Sequence, residues 1–280
     1  MSSGGPSSPS PPGPGAGAAF RGPDMLRWRT VTALVLAPIV LGAIIVGPLA
    51  VYALILVVVG IAAYELSRAL KPLPFLAALG AGAIPVLLSI PYDVTGIMAG
   101  VCFALPWALF WLTSMPQTRT LRALLAILLM AIWVGASLAH LGLISDSSDR
   151  IVLGIVVITG PWISDSGAYF AGRLAGKHPL FPTLSPNKTV EGAIGGILMT
   201  MLVVGWIAHQ FLDFSIPGAA AAGIAISFFS QTGDLFESIL KRILDIKDLG
   251  SLLPGHGGIL DRIDSLLFTA PAVYYVLLFI

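Results

Sequence analysis

Long apolar runs, cut into lengths of roughly 20 residues by proline, glycine and charged side chains, constrain this chain most, because a helix needs about that length to cross the hydrocarbon core of a bilayer. Lipid offers no partners to backbone N–H and C=O groups, so such runs must satisfy those groups internally and fold as helices. They fall at approximately 30–47, 48–66, 73–91, 94–113, 123–144, 151–171, 190–212, 216–236 and 263–280. The expected fold class is therefore all-α, a polytopic integral membrane protein with about nine transmembrane helices. Composition points the same way: 56% of residues are hydrophobic and 10% charged, against about 25% charged in soluble domains.

Three regions follow. Residues 1–25 are rich in glycine, proline and serine and have too few large apolar side chains to offset the entropy of ordering, so a disordered cytoplasmic tail is expected. Residues 26–150 hold the N-terminal transmembrane helices, and 151–280 a C-terminal transmembrane catalytic region. Arg27, Trp28 and Arg29 before the first run resemble the start of a signal peptide. No small-residue cleavage site follows, which favours an uncleaved first helix.

Orientation is read from lysine and arginine. With a cytoplasmic amino terminus and nine crossings, all 15 of these residues except Arg150 fall on the cytoplasmic side. Asp93, Asp146, Asp149 and Asp213 occupy the outer turns. The two longest cytoplasmic connections, about 172–189 and 237–262, carry dense polar chemistry, so function is sought there.

Several function classes are excluded. A net charge of +1 with no basic stripe gives no case for nucleic acid. Cys102 is the single cysteine, so no intrachain disulfide or cysteine metal cluster forms. His140, His178, His209 and His256 form no HExxH pair, and no GxxxxGK[ST] phosphate loop occurs. The six tryptophans read as interfacial anchors or packing.

The chemistry concentrates in acids beside the last four runs: Asp165, Glu191, Asp234, Glu237, Asp261 and Asp264. Each costs about 2.5–3.5 kcal/mol at membrane depth on insertion scales, so a function is the default reading. On a helix, Asp234, Glu237, Ser238, Lys241 and Asp245 share one face. Asp261 and Asp264 stand one turn apart at the start of the ninth run. Two carboxylate pairs meeting across helices suit Mg²⁺, which takes oxygen ligands and leaves positions for substrate phosphates. The run from Leu253 to Ile259, with Gly255, His256, Gly257 and Gly258, is too glycine-rich for a helix interior and reads as an anion nest. In the run from Ser185 to Gly192, Lys188 is a candidate phosphate contact and Thr189 a candidate cap for the seventh helix. Gly192 and Gly196 have the spacing of close helix packing.

Ser238 to Arg242, Lys247 to Gly250 and Pro254 to Asp264 together resemble the signature of the phosphatidate cytidylyltransferases. Trp162 to Phe170 and Ser185 to Gly192 resemble the upstream blocks of that family, although Asn187 and Val190 stand where it more often has lysine and tryptophan. The resemblance covers roughly residues 160 to 270. It implies an enzyme of the inner, cytoplasmic face of a bacterial membrane that converts CTP and phosphatidic acid to CDP-diacylglycerol and pyrophosphate, with Mg²⁺ as cofactor. It further implies metal ligation by Asp234, Asp261 and Asp264, joined by Asp165, and catalytic roles for Lys241 and Asp264. Lys188, Ser238, Arg242, Lys247, Gly255, His256, Gly257, Gly258 and Arg262 are the expected substrate contacts. The expected partners are the two substrates and the bilayer, with no nucleic acid and with a homodimer as a candidate assembly. The competing readings are a CTP-dependent polyprenol or lipid kinase and, from another class, an ion-coupled transporter.

Overall fold

The computed structural model describes residues 23–70, 73–113, 117–182, 184–246, 248–250 and 257–279, with the backbone alone described at 23–33, 117–119, 186, 277 and 279. Helices dominate: α1 Pro23–Val46, α2 Pro48–Ala69, α3 Phe75–Leu112, α4 Gln117–Leu129, α5 Ser137–Ser145, α6 Arg150–Ala175, α7 Val190–Phe211, α8 Ile216–Ile243 and α9 Leu260–Phe279. A π-helical stretch, Met130–Ala136, joins α4 to α5 in one rod. Strands β1 Pro179–Phe181 and β2 Ser185–Thr189 pair antiparallel between α6 and α7.

Among the described residues, five helical segments are long and apolar enough to cross a membrane: Pro48–Ala69, Phe75–Leu112, Thr120–Ser145, Arg150–Ala175 and Val190–Phe211. The expected count of about nine is not reached on length and composition alone. The described apolar part of α1, Leu34–Val46, is short, and α8 and α9 mix apolar residues with Ser227, Gln231, Asp234, Asp261 and Asp264. The all-α membrane architecture itself holds. Large apolar side chains such as Leu49, Leu174 and Ile216 point outward, as lipid permits and water penalises.

At 38 residues α3 is too long for one crossing at 1.5 Å per residue. Its helical dihedrals break at Asp93, whose φ of 50° lies in the left-handed region. Beyond that break the chain doubles back. Trp107 Nε1 donates to the Ala77 carbonyl at 2.9 Å, and a β-carbon at Gly100 would meet the backbone of Pro85. The halves 75–92 and 94–112 are thus antiparallel neighbours.

One buried cluster joins α2, α3, the α4–α5 rod and α9; a second joins α6, α7, α8 and α9. The Thr120–Ser145 segment is buried over most of its apolar length and α7 over much less, which puts the former at the centre of the bundle and the latter at its edge. Gly192 approaches the Ala168 carbonyl and Gly196 the Ser164 carbonyl, so small residues do let α6 and α7 pack closely. Ser164 and Ser227 share a 2.8 Å hydrogen bond between their hydroxyls, and Gln231 Nε2 donates to the Ala193 carbonyl at 3.2 Å, which fixes α8 against that pair. The next turn of the same face carries Asp234.

Candidate active site

Polar groups gather at one end of the helices, where α2 and α8 finish, α9 begins and the β1–β2 hairpin folds over. Thr189 caps α7 as its sequence position predicts: the Gly192 N–H donates to its Oγ1 at 3.1 Å. Glu191, in the first turn, accepts the backbone N–H groups of Lys177 at 3.1 Å and His178 at 3.3 Å, and its other oxygen lies 2.6 Å from His178 Nδ1. The hairpin is thereby tied to the start of α7, and Lys188 on β2 donates to Asp234 of α8.

Asp234, Glu237 and Asp264 each place a carboxylate oxygen within 4.8 Å of the others. The close approach of α8 to α9 makes this possible. A β-carbon at Gly233 would lie 2.7 Å from the Asp264 carbonyl and 2.9 Å from Ser265 Cα, so glycine is what lets the two helices touch there.

The third carboxylate of this group is Glu237, not Asp261. Asp261 accepts hydrogen bonds from Gly258 N–H at 2.8 Å, Leu249 N–H at 3.2 Å and Lys241 Nζ at 3.1 Å. Lys241 also lies 2.8 Å from Glu237 Oε1, so one ammonium stands between two carboxylates whose side chains are each 4% exposed. Asp165 lies outside the three-carboxylate group, near enough to interact with Asp234, Lys188 and Asp264.

Among the remaining expected contacts, Arg242 and Arg262 are exposed and Ser238 is half-buried. Gly257 adopts a φ of 81°. The amides of Gly258, Ile259 and Leu260 donate to Asp261 and Glu65, so this described part of the glycine-rich run serves the protein's own carboxylates instead of an outside anion. Lys247, Gly255 and His256 lie outside the described residues.

Sequence reasoning left Glu65 out of the site, although an acid inside an apolar helix is a signal of its own. It is 2% exposed and reaches the start of α9 from α2. Glu65 lies in the second apolar run, far along the chain from the other acids beside the last four.

Four carboxylates held against two ammonium groups where α8 and α9 cross can take part in chemistry on phosphates. Sequence comparison agrees. The model of the cytidylyltransferase family matches residues 27–280. The phosphatidate cytidylyltransferase of Bacillus subtilis strain 168 is 37% identical over 267 residues, covering 90% of this chain and 97% of that protein. The enzyme of the same name from Staphylococcus saprophyticus is 35% identical over 263 residues, covering 90% and 99%, and that from Staphylococcus haemolyticus is 45% identical over 136 residues, 48% of this chain and 51% of that protein. With a match that spans both halves of the bundle, the chain belongs to the cytidylyltransferase family.

Proposed function

We propose that this chain is a phosphatidate cytidylyltransferase whose reaction centre is the group formed by Asp234, Glu237, Lys241, Asp261 and Asp264. It transfers the cytidylyl group of CTP to phosphatidic acid: a phosphate oxygen of the lipid forms a bond to the α-phosphorus, the bond to the β-phosphate oxygen breaks, and pyrophosphate leaves. The observation that carries the reading is the meeting of Asp234, Glu237 and Asp264 within 4.8 Å, in a chain whose named relatives match over 90% of its length.

The donor set fits Mg²⁺. Asp234, Glu237, Asp261 and Asp264 outnumber the Lys188 and Lys241 ammonium groups beside them, and crowded carboxylates resist ionisation together unless a further cation compensates them. Asp234, Glu237 and Asp264 would hold the ion, with Asp165 at the margin. When bound, Mg²⁺ neutralises charge on the transferring phosphate and the leaving pyrophosphate.

The protein's own groups do the rest by position and charge. A phosphate monoester is already ionised near neutral pH, so no strong general base is required. Lys188, whose side chain is 32% exposed, carries its ammonium to the rim beside Asp234, where an incoming phosphate can share it. Lys241 is held deeper and presents a compact charge. Arg242, exposed on the last turn of α8, extends the positive field outward. Incubation with CTP labelled in the cytosine ring and phosphatidic acid should give a labelled lipid product. Label that stays in free CDP while phosphate moves to the lipid would instead mark a kinase.

The orientation we propose is nine crossings, with the site at the cytoplasmic face of a bacterial inner membrane, as lysine and arginine placement favours. It is supported by the gathering of Glu65, Lys188, Asp234, Lys241 and Asp261 at one end, while Tyr52 donates to Asp146 at 3.4 Å at the other. A reporter fused after Ile280 is expected to be active only outside the cytoplasm. Activity confined to the cytoplasm would overturn the nine-crossing arrangement.

A further inference from the structure

We propose that Glu65 is a positioning residue for cytidylyl transfer: from α2 it clamps both flanks of the α8–α9 connection and so sets where Asp261 and Lys241 stand. The inference rests on the assignment of those two residues to the reaction centre.

Glu65 lies among Ala62, Ala63 and Leu66, all fully buried. A carboxylate in such surroundings is costly unless hydrogen-bonded. It accepts Ile259 N–H at 2.9 Å and Leu260 N–H at 3.2 Å, the latter from a residue 195 positions away. These amides open α9, where unsatisfied N–H groups and the helix dipole favour a negative charge. A helix normally finds its cap in its own preceding residues. The amides of Ile259 and Leu260 lie before the second and third helical amides that a capping side chain reaches, and their acceptor comes from α2.

The two flanks are shaped around this carboxylate. A β-carbon at Gly258 would lie 2.6 Å from Glu65 Oε2, and one at Gly250 would collide with its carboxyl carbon. Behind them, Leu249 and Gly258 donate their N–H groups to Asp261. The flanks are therefore held between Glu65 on one side and Asp261 on the other. Asp261 binds Lys241, and Lys241 faces Glu237. A continuous set of contacts thus runs from the N-terminal half of the bundle into the reaction centre.

The test uses full-length protein in mixed micelles of detergent and phosphatidic acid, with kcat, KM for CTP and thermal unfolding measured together. Glu65→Gln keeps the size but replaces one acceptor oxygen with a donor that opposes the amides. It should lower kcat by about 10–100-fold, the usual loss when a supporting group behind a reaction centre is removed, and, because it buries a donor against donors, it should lower the unfolding midpoint too, so turnover is compared at a temperature where both proteins are folded. Gly250→Ala crowds the carboxylate without removing it and should be similarly impaired. A Glu65→Ala background removes the three atoms nearest the added methyl, all of them at the carboxyl end of Glu65, so the double variant should fall no further than the worse single, a non-additivity that independent structural damage does not give. Turnover of Glu65→Gln within about twofold of wild type, or additive losses in the double variant, would overturn the clamp. If the Glu65 variants fail to fold, Gly250→Ala alone decides, with normal turnover counting against the proposal. Asp261→Asn separates the two levels: its full activity would sink the reaction centre, whereas its loss beside a normal Glu65→Gln would sink only the clamp.

Discussion

Asp264→Asn and Asp234→Asn should each lower kcat by about 10²–10³-fold, the scale on which loss of one preorganised charge at a reacting phosphate is felt. Asparagine keeps the volume of aspartate, so the crossing of Gly233 against Asp264 and Ser265 is preserved and membrane insertion should survive. What disappears is one of the negative charges that Asp234, Glu237 and Asp264 bring within 4.8 Å. Like charges this close oppose one another, so without divalent cations both variants should unfold at or above the wild-type temperature. Added Mg²⁺ should raise the wild-type midpoint, because a ligand of the folded state stabilises it by mass action, and should raise that of the variants less. The measurement is a Mg²⁺ titration of turnover and of thermal unfolding for the three proteins side by side. Unchanged turnover together with an unchanged Mg²⁺ response in both variants would remove these aspartates from the centre. The Asp234 variant carries a further consequence, since Lys188 loses its carboxylate partner. Lys188 is partly solvated, so this contributes little to stability and its effect should appear in KM for CTP.

Lys241→Ala is expected to damage both activity and stability. The ammonium lies 2.8 Å from Glu237 and 3.1 Å from Asp261, and neither carboxylate has water to fall back on. Removing one member of a buried ion pair leaves an uncompensated charge and costs about 3–5 kcal/mol. Loss of the same charge beside the transferring phosphate should reduce turnover by about 10²-fold or more. Lys241→Arg restores charge but brings a wide planar group that prefers to bind a carboxylate in a bidentate manner, so it should recover stability more than turnover. Near-normal turnover in Lys241→Ala would place Lys241 outside the reaction, whatever its effect on unfolding.

Membrane class was legible because it depends on local quantities. Run length and apolar content decide whether a segment suits lipid, and the ends of α2, α6 and α7 fall near the boundaries read from proline, glycine and charge. Thr189 was legible as a cap for the same reason, since its partner Gly192 is three residues away. The break in apolar character near Asp93 marked two runs, and they are the two antiparallel halves of α3. The count of crossings was less legible in α8 and α9, because polar residues serving the site dilute the apolar signal of the helices that carry it.

The order of residues alone establishes that the chain is helical and membrane-embedded, that its polar chemistry clusters in the C-terminal half, and that Asp234, Lys241, Asp261 and Asp264 sit within a recognisable pattern. Helical periodicity sufficed for this, since residues three and four apart share a face whatever the rest of the chain does. Which carboxylates meet across helices depends on how α8 and α9 pack. Gly233 sets the depth at which α8 meets α9 and so brings Asp264 to Asp234 and Glu237, while the amides of Leu249 and Gly258 draw Asp261 to Lys241 instead. Only the tertiary structure brought Glu65 from α2 to the start of α9. Such pairings depend on where distant helices cross, and packing of the whole bundle sets that distance, which no local period in the chain encodes.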